Sequence, residues 1–172
     1  SINIIKESIK LNFKQAETHN NLGIASLQIK NFLNAIEAFK NSIKINPKFI
    51  EAYINIGVAL KQINKNQEAI EYWKEAIQLK KNNPRAYNNI GNVYFEMNKP
   101  EISIEYYNNA ISFDNKFYNA YFNRGNAKQK MNLLTESIKD YTEAIRINNN
   151  YAEAYVARGN SLRNLNKLSD AL

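Results

Sequence analysis

The sequence predicts an all-α solenoid of helix–turn–helix units. Three observations carry this prediction. The five glycines (Gly23, Gly57, Gly91, Gly125 and Gly159) are each separated by 34 residues. Other positions recur in phase with them. Sixteen past the glycine stand Phe39, Trp73, Tyr107 and Tyr141, and nineteen past it Ser42, Ala76, Ala110 and Ala144, each followed by isoleucine. Within each period the apolar residues fall at helical spacings of three and four. A fixed period of this size marks stacked repeats, each burying its apolar face against its neighbours.

The elements follow in order. Residues 1–15 read as the second helix of a truncated repeat, because Ser8-Ile9-Lys10-Leu11-Asn12 stands one period before Ser42-Ile43-Lys44-Ile45-Asn46. Four full units follow at 16–49, 50–83, 84–117 and 118–151. The unit at 50–83 is typical. Its first helix carries Ala52, Tyr53, Ile56, Gly57 and Leu60, and its second Ala69, Ile70, Trp73, Ala76, Ile77 and Leu79. Glycine inside a helix costs about 1 kcal/mol relative to alanine, so its recurrence there implies close approach of a neighbouring element. Asn64, Asn98, Asn132 and Asn166 recur between the two helices, where asparagine tolerates the left-handed conformation that ends a helix. Pro84 and Pro100 stand near helix starts, where a missing N–H costs little. Pro47 follows a helix end. Residues 152–172 read as the first helix of a truncated fifth repeat and the start of its second, with Ala171 in phase with Ala35 and Ala69. Because the chain begins and ends inside repeats, it is expected to be a piece of a longer protein.

Composition removes several classes of chemistry. There is no cysteine, hence no disulfide framework and no thiolate. No stretch is long and apolar enough for a membrane span. His19 is the single histidine and takes the place of a repeat tyrosine (Tyr53, Tyr87, Tyr121, Tyr155), so it is expected to pack between helices. A metal site needs several convergent ligands. The isolated glycines form no phosphate-binding loop. Neither a cofactor nor a catalytic residue is expected. The net charge of +7 is spread over all repeats and interleaved with glutamate, as at Glu68, Glu71, Lys74 and Glu75. That pattern is a solvated helix surface rather than a nucleic-acid stripe.

The run Ala-Tyr-x-Asn-Ile-Gly-x-x-Tyr at 86–94, with Ala-Ile-Glu-Tyr-Trp-Lys-Glu-Ala-Ile at 69–77, resembles the tetratricopeptide repeat. The resemblance covers essentially the whole chain. It implies a right-handed superhelix whose inner groove is lined by the first helices, and a protein-interaction module without catalysis of its own. The matching groove positions are Asn21, Asn55, Asn89 and Asn123 two before the glycine, Asn92, Asn126 and Asn160 one after it, Asn88 and Phe122 three before it, and Phe95 further along. The four asparagines of the first series resemble the ladder in the repeat arm of O-linked N-acetylglucosamine transferase. A row of amides, each with two donors and an acceptor, is suited to the backbone of an extended peptide. Ile54, Phe122, Val156 and Phe95 offer a second mode, an amphipathic helix in the groove.

The expected partner is therefore a protein or peptide in the concave groove, with self-association through exposed repeat ends as a further possibility. The location expected is intracellular, in the cytoplasm or in a large assembly such as a cilium. A chaperone-tail clamp is argued against. Its lysine three before the glycine is replaced by Asn20, Ile54, Asn88, Phe122 and Val156, and its arginine two before by asparagine in four repeats and Ala157 in the fifth. Two other readings stay open at this point. One is the substrate-selecting arm of an enzyme such as a protein glycosyltransferase. The other is an RNA-binding solenoid, whose affinity would fall steeply with salt. Arg124, with Asp140 in the following helix, predicts an ion pair within the fourth repeat.

Overall fold

The computed structural model describes residues 2–169, the side chains of residues 2–10, 13 and 167–169 excepted. The described residues form helices α1 (Ile2–Gln28), α2 (Phe32–Ile45), α3 (Ile50–Gln62), α4 (Asn66–Leu79), α5 (Pro84–Glu96), α6 (Pro100–Phe113), α7 (Tyr118–Lys130), α8 (Leu134–Ile147) and α9 (Ala152–Ser169), with no strand among them. They divide into two compact units, Ser1–Lys81 and Asn82–Leu172.

In the first unit α1 pairs with α2 and α3 with α4, and α2 packs on α3. The glycines set the fit within each pair. A Cβ on Gly23 would collide with the Phe39 ring, and one on Gly57 with the Trp73 indole. Both aromatic side chains are fully buried. Trp73 also satisfies its indole N–H, donating to the Ile54 carbonyl at 3.0 Å. Where α2 turns into α3, Ala16, Phe49 and Ala52 form a small core with Ile43 and Ile45 against it. Ser42 Oγ donates to the Ala16 carbonyl at 2.7 Å, so a hydroxyl is accommodated where later repeats carry alanine.

The second unit repeats the plan with α5–α6, α7–α8 and then α9, each helix packed on the next. A Cβ on Gly91 would lie 2.6 Å from Tyr107 Cε1, and one on Gly125 2.6 Å from Tyr141 Cε1. Gly159 has nothing within 4 Å of that point. At the far end, Ala144, Ile145 and Ala154 are covered by Tyr118, Tyr121, Phe122 and Tyr151.

The hairpin turns follow the asparagines at three positions. Asn64, Asn98 and Asn132 have φ of 62°, 60° and 61°. In the first hairpin Lys30 holds the same conformation at φ 57°. Pro84 and Pro100 open α5 and α6 as expected.

Two expectations need correction. Residues 1–15 do not form a separate helix ahead of the repeat at 16–49, because α1 runs unbroken from Ile2 to Gln28. Gln15 stands where the links between later hairpins carry Phe49, Asn83, Phe117 and Tyr151, so this stretch lacks the aromatic anchor or capping asparagine found at the breaks. Nor does Asn166 make a turn, since α9 continues through it to Ser169. Ala171 lies outside the described residues.

Candidate functional site

Two of the asparagines that stand two before a glycine, Asn55 and Asn123, are held by a neighbouring amide. Asn55 Nδ2 donates to Asn20 Oδ1 at 3.0 Å in the first unit, and Asn123 Nδ2 donates to Asn88 Oδ1 at 3.0 Å in the second. Each acceptor stands three before the glycine of the preceding repeat and is buried, Asn20 to 5% exposure and Asn88 to 6%. Asn88 is thus mainly a support for Asn123. Asn55 and Asn123 are half-buried, and each retains a second N–H and its own oxygen. The bond fixes which way the remaining groups face. Asn89 is half-buried and Asn21 exposed.

The second unit gathers several of the expected residues around one cavity. About 220 Å³ in volume, it is lined by Asn92, Phe95, Glu96, Tyr107, Asn123 and Asn126. Helix α5 supplies Asn92, Phe95 and Glu96 from one face, and α7 supplies Asn123 and Asn126. Tyr107 comes from α6. Its hydroxyl donates to Asn92 Oδ1 at 2.9 Å. The same contact recurs one repeat later, where Tyr141 donates to Asn126 Oδ1 at 2.8 Å, with Gln129 Oε1 3.0 Å away. Burial, and after it Glu96, pushes the Tyr107 phenol above its ordinary pKa. Burial, and after it Asp140, does the same for Tyr141. Both remain donors at any physiological pH. Lys130 Nζ sits 5.0 Å from the centre of the Phe95 ring, the distance of a cation–π contact.

Not every expected residue joins this site. Phe122 is half-buried in an aromatic cluster, 4.9 Å from the Tyr151 ring and 5.8 Å from Tyr141. Asn160 is exposed on α9, where its oxygen accepts from Arg163 at 3.1 Å. Tyr107, Tyr141 and Glu96 were absent from the expected set. The first two were readable, since tyrosine sixteen past the glycine coincides with asparagine one past it in the same two repeats.

On the opposite side of α7 the expected ion pair is present and larger than expected. Arg124 grips Asp140 through both carboxylate oxygens, Nε lying 2.9 Å from Oδ2. Lys128 Nζ reaches the same carboxylate at 2.7 Å. A third Arg124 nitrogen donates to Asn108 of α6 at 2.6 Å, tying the two repeats together. In the first unit His19 lines a different opening of about 320 Å³ between α1 and α2, with Leu22, Ser26, Asn34, Glu37, Ala38 and Asn41. Among the described residues no group of three or more His, Cys, Asp or Glu side chains is placed to hold a metal ion. No described helix is long and apolar enough to cross a membrane.

Comparison with known proteins agrees with the repeat architecture. Tetratricopeptide repeat models match residues 16–49, 84–117 and 118–151, and a further TPR repeat model matches 59–98, together more than half of the sequence. The chain belongs to the tetratricopeptide repeat family. Repeats of this family serve as protein-interaction modules. Among solved structures, the tetratricopeptide array here is similar to MamA, at 30% identity over 86% of each chain with a TM-score of 0.70. It is similar in fold to PilF of Pseudomonas aeruginosa, at 18% identity over 91% of this chain and 71% of that one, TM-score 0.83. The first TPR of Spaghetti (RPAP3), solved with the HSP90 peptide SRMEEVD, aligns at 23% identity over 67% of this chain and 92% of that one, TM-score 0.65. No curated protein matches by sequence.

Proposed function

We propose that the asparagine-bearing face of the first helices binds an extended peptide segment of a partner protein. The tetratricopeptide chain would then act as a scaffold or adaptor within a larger intracellular assembly. The observation that carries this reading is the amide pairing of Asn55 with Asn20 and Asn123 with Asn88. A free surface asparagine pays entropy to meet a ligand, whereas one already held by a buried neighbour presents its remaining donor and acceptor at little further cost. The proteins that share this fold include one solved with a peptide bound. A peptide held by its terminal carboxylate is not the ligand expected here, because the lysine position of such a clamp holds Asn20, Ile54, Asn88, Phe122 and Val156.

The test is to select binders from a displayed library of random peptides. Their affinity is then compared for the unmodified protein and for Asn55→Ala, Asn89→Ala and Asn123→Ala combined. Loss of about tenfold or more, with a weak salt dependence, is expected for neutral amides facing a peptide backbone. Equal affinity for both proteins would sink the reading. A steep fall with salt, together with retention of single-stranded RNA, would favour the nucleic-acid alternative.

A further inference from the structure

The second unit carries a device that the first lacks. In α6 and α8 the residue sixteen past the glycine is tyrosine, and its phenol runs past that glycine to hold the asparagine one beyond it. In the first unit the same two positions are Phe39 with Ile24 and Trp73 with Val58. Phe39 has no polar atom to offer, and Trp73 spends its N–H on the Ile54 carbonyl. Tyrosine therefore goes with asparagine in two repeats, and a non-phenolic aromatic with an aliphatic residue in the other two.

The consequence is chemical. An asparagine whose oxygen is taken by a buried phenol has its two N–H donors set on the other side. Asn92 and Asn126 both line the 220 Å³ cavity, together with Asn123.

We propose that Tyr107 and Tyr141 are positioning residues: they turn the Asn92 and Asn126 amides into donors for the main-chain carbonyl oxygens of a bound peptide, a role the first unit leaves to apolar contact at Ile24 and Val58. This rests on the peptide-binding reading above and adds to it which residues set polarity along the face.

The probe is an alanine hexapeptide, acetylated and amidated, which offers main-chain groups and no polar side chain. It is titrated into 15N-labelled protein while the side-chain NH2 cross-peaks of the asparagines are followed. Saturable shifts of Asn92 and Asn126 are expected. Tyr107→Phe with Tyr141→Phe should weaken binding about tenfold, the scale of one net hydrogen bond, with helical circular dichroism unchanged. A second variant adds Asn92→Ile and Asn126→Ile, recreating the Phe39–Ile24 pairing. It should recover the thermal stability lost by the tyrosine substitutions and still fail to bind. Unchanged affinity in the tyrosine variant overturns the proposal. So do shifts at Asn89 and Asn123 without shifts at Asn92 and Asn126, an outcome that leaves the peptide-binding reading standing. A peptide that moves no asparagine cross-peak overturns both.

Discussion

At the scale of single residues, the glycines separate two physical situations that the sequence presents as one. Gly91 and Gly125 sit against the rings of Tyr107 and Tyr141, with no room for a Cβ. Gly159 faces open space. Gly91→Ala should therefore destabilise by about 1–3 kcal/mol through overpacking. Gly159→Ala should stabilise by up to about 1 kcal/mol, because alanine is the better helix former. Urea denaturation of the two variants checks this, and equal effects would contradict it. The periodicity alone could not distinguish them, since the difference lies in whether a second helix is present to press on the glycine. The turns were legible where asparagine marks them, at Asn64, Asn98 and Asn132. Lys30 was not, because lysine has no preference for φ near 57° and is held there by the hairpin around it. The amide pairs were also hidden. They join residues 35 apart, one more than the repeat, so reading each column of equivalent positions by itself passes over them.

Single helices and their pairs are joined by few polar contacts, and those few matter. Asp140 is 5% exposed and neutralises two cations, Arg124 and Lys128, each about one-fifth exposed. Substituting Asp140→Asn leaves both without their carboxylate and should cost about 3 kcal/mol, a value reduced from that of a fully buried cluster by the exposure of the partners. Arg158 holds the same repeat position on α9. It lies 5.5 Å from the Tyr155 ring centre and only 3.5 Å from Thr142 Oγ1. Arg158→Ala should change stability by less than about 0.5 kcal/mol. A chemical-denaturation comparison of the two substitutions tests the contrast, and a large loss from Arg158→Ala would contradict it. The Arg124–Asp140 pair was readable in the sequence from its place in the repeat. The addition of Lys128 and Asn108 was not, because it depends on how α6 and α7 meet.

For the whole molecule, stability is expected to be a sum over repeats and their nearest neighbours, with tyrosine the main source of its pH dependence at the alkaline end. Burial is the leading cause at Tyr107, Tyr141 and Tyr151, with nearby carboxylates adding to it. It raises the first two well above the ordinary phenol value of 10.0 and Tyr151 to about 12. The folded chain thus keeps phenol protons that the unfolded chain releases. Their contribution is complete below pH 10 and is lost as pH rises through 10 towards 12 and beyond. The urea midpoint should fall between pH 9 and pH 11.5; a constant midpoint would show that these phenols are no more protonated in the folded state than out of it. The repeat architecture itself was legible from period and phase, whereas the distribution of polarity over the asparagine-bearing face was not. That distribution depends on side chains reaching through from the second helices, which is a matter of packing.

If the first helices receive a peptide on their asparagine face, their backbone amides there become protected when it binds. Hydrogen–deuterium exchange with and without a selected peptide reads this directly. Added protection is expected in α3, α5 and α7 at the segments around Asn55, Asn89 and Asn123, with α4, α6 and α8 unchanged. Protection confined to those second helices would contradict it.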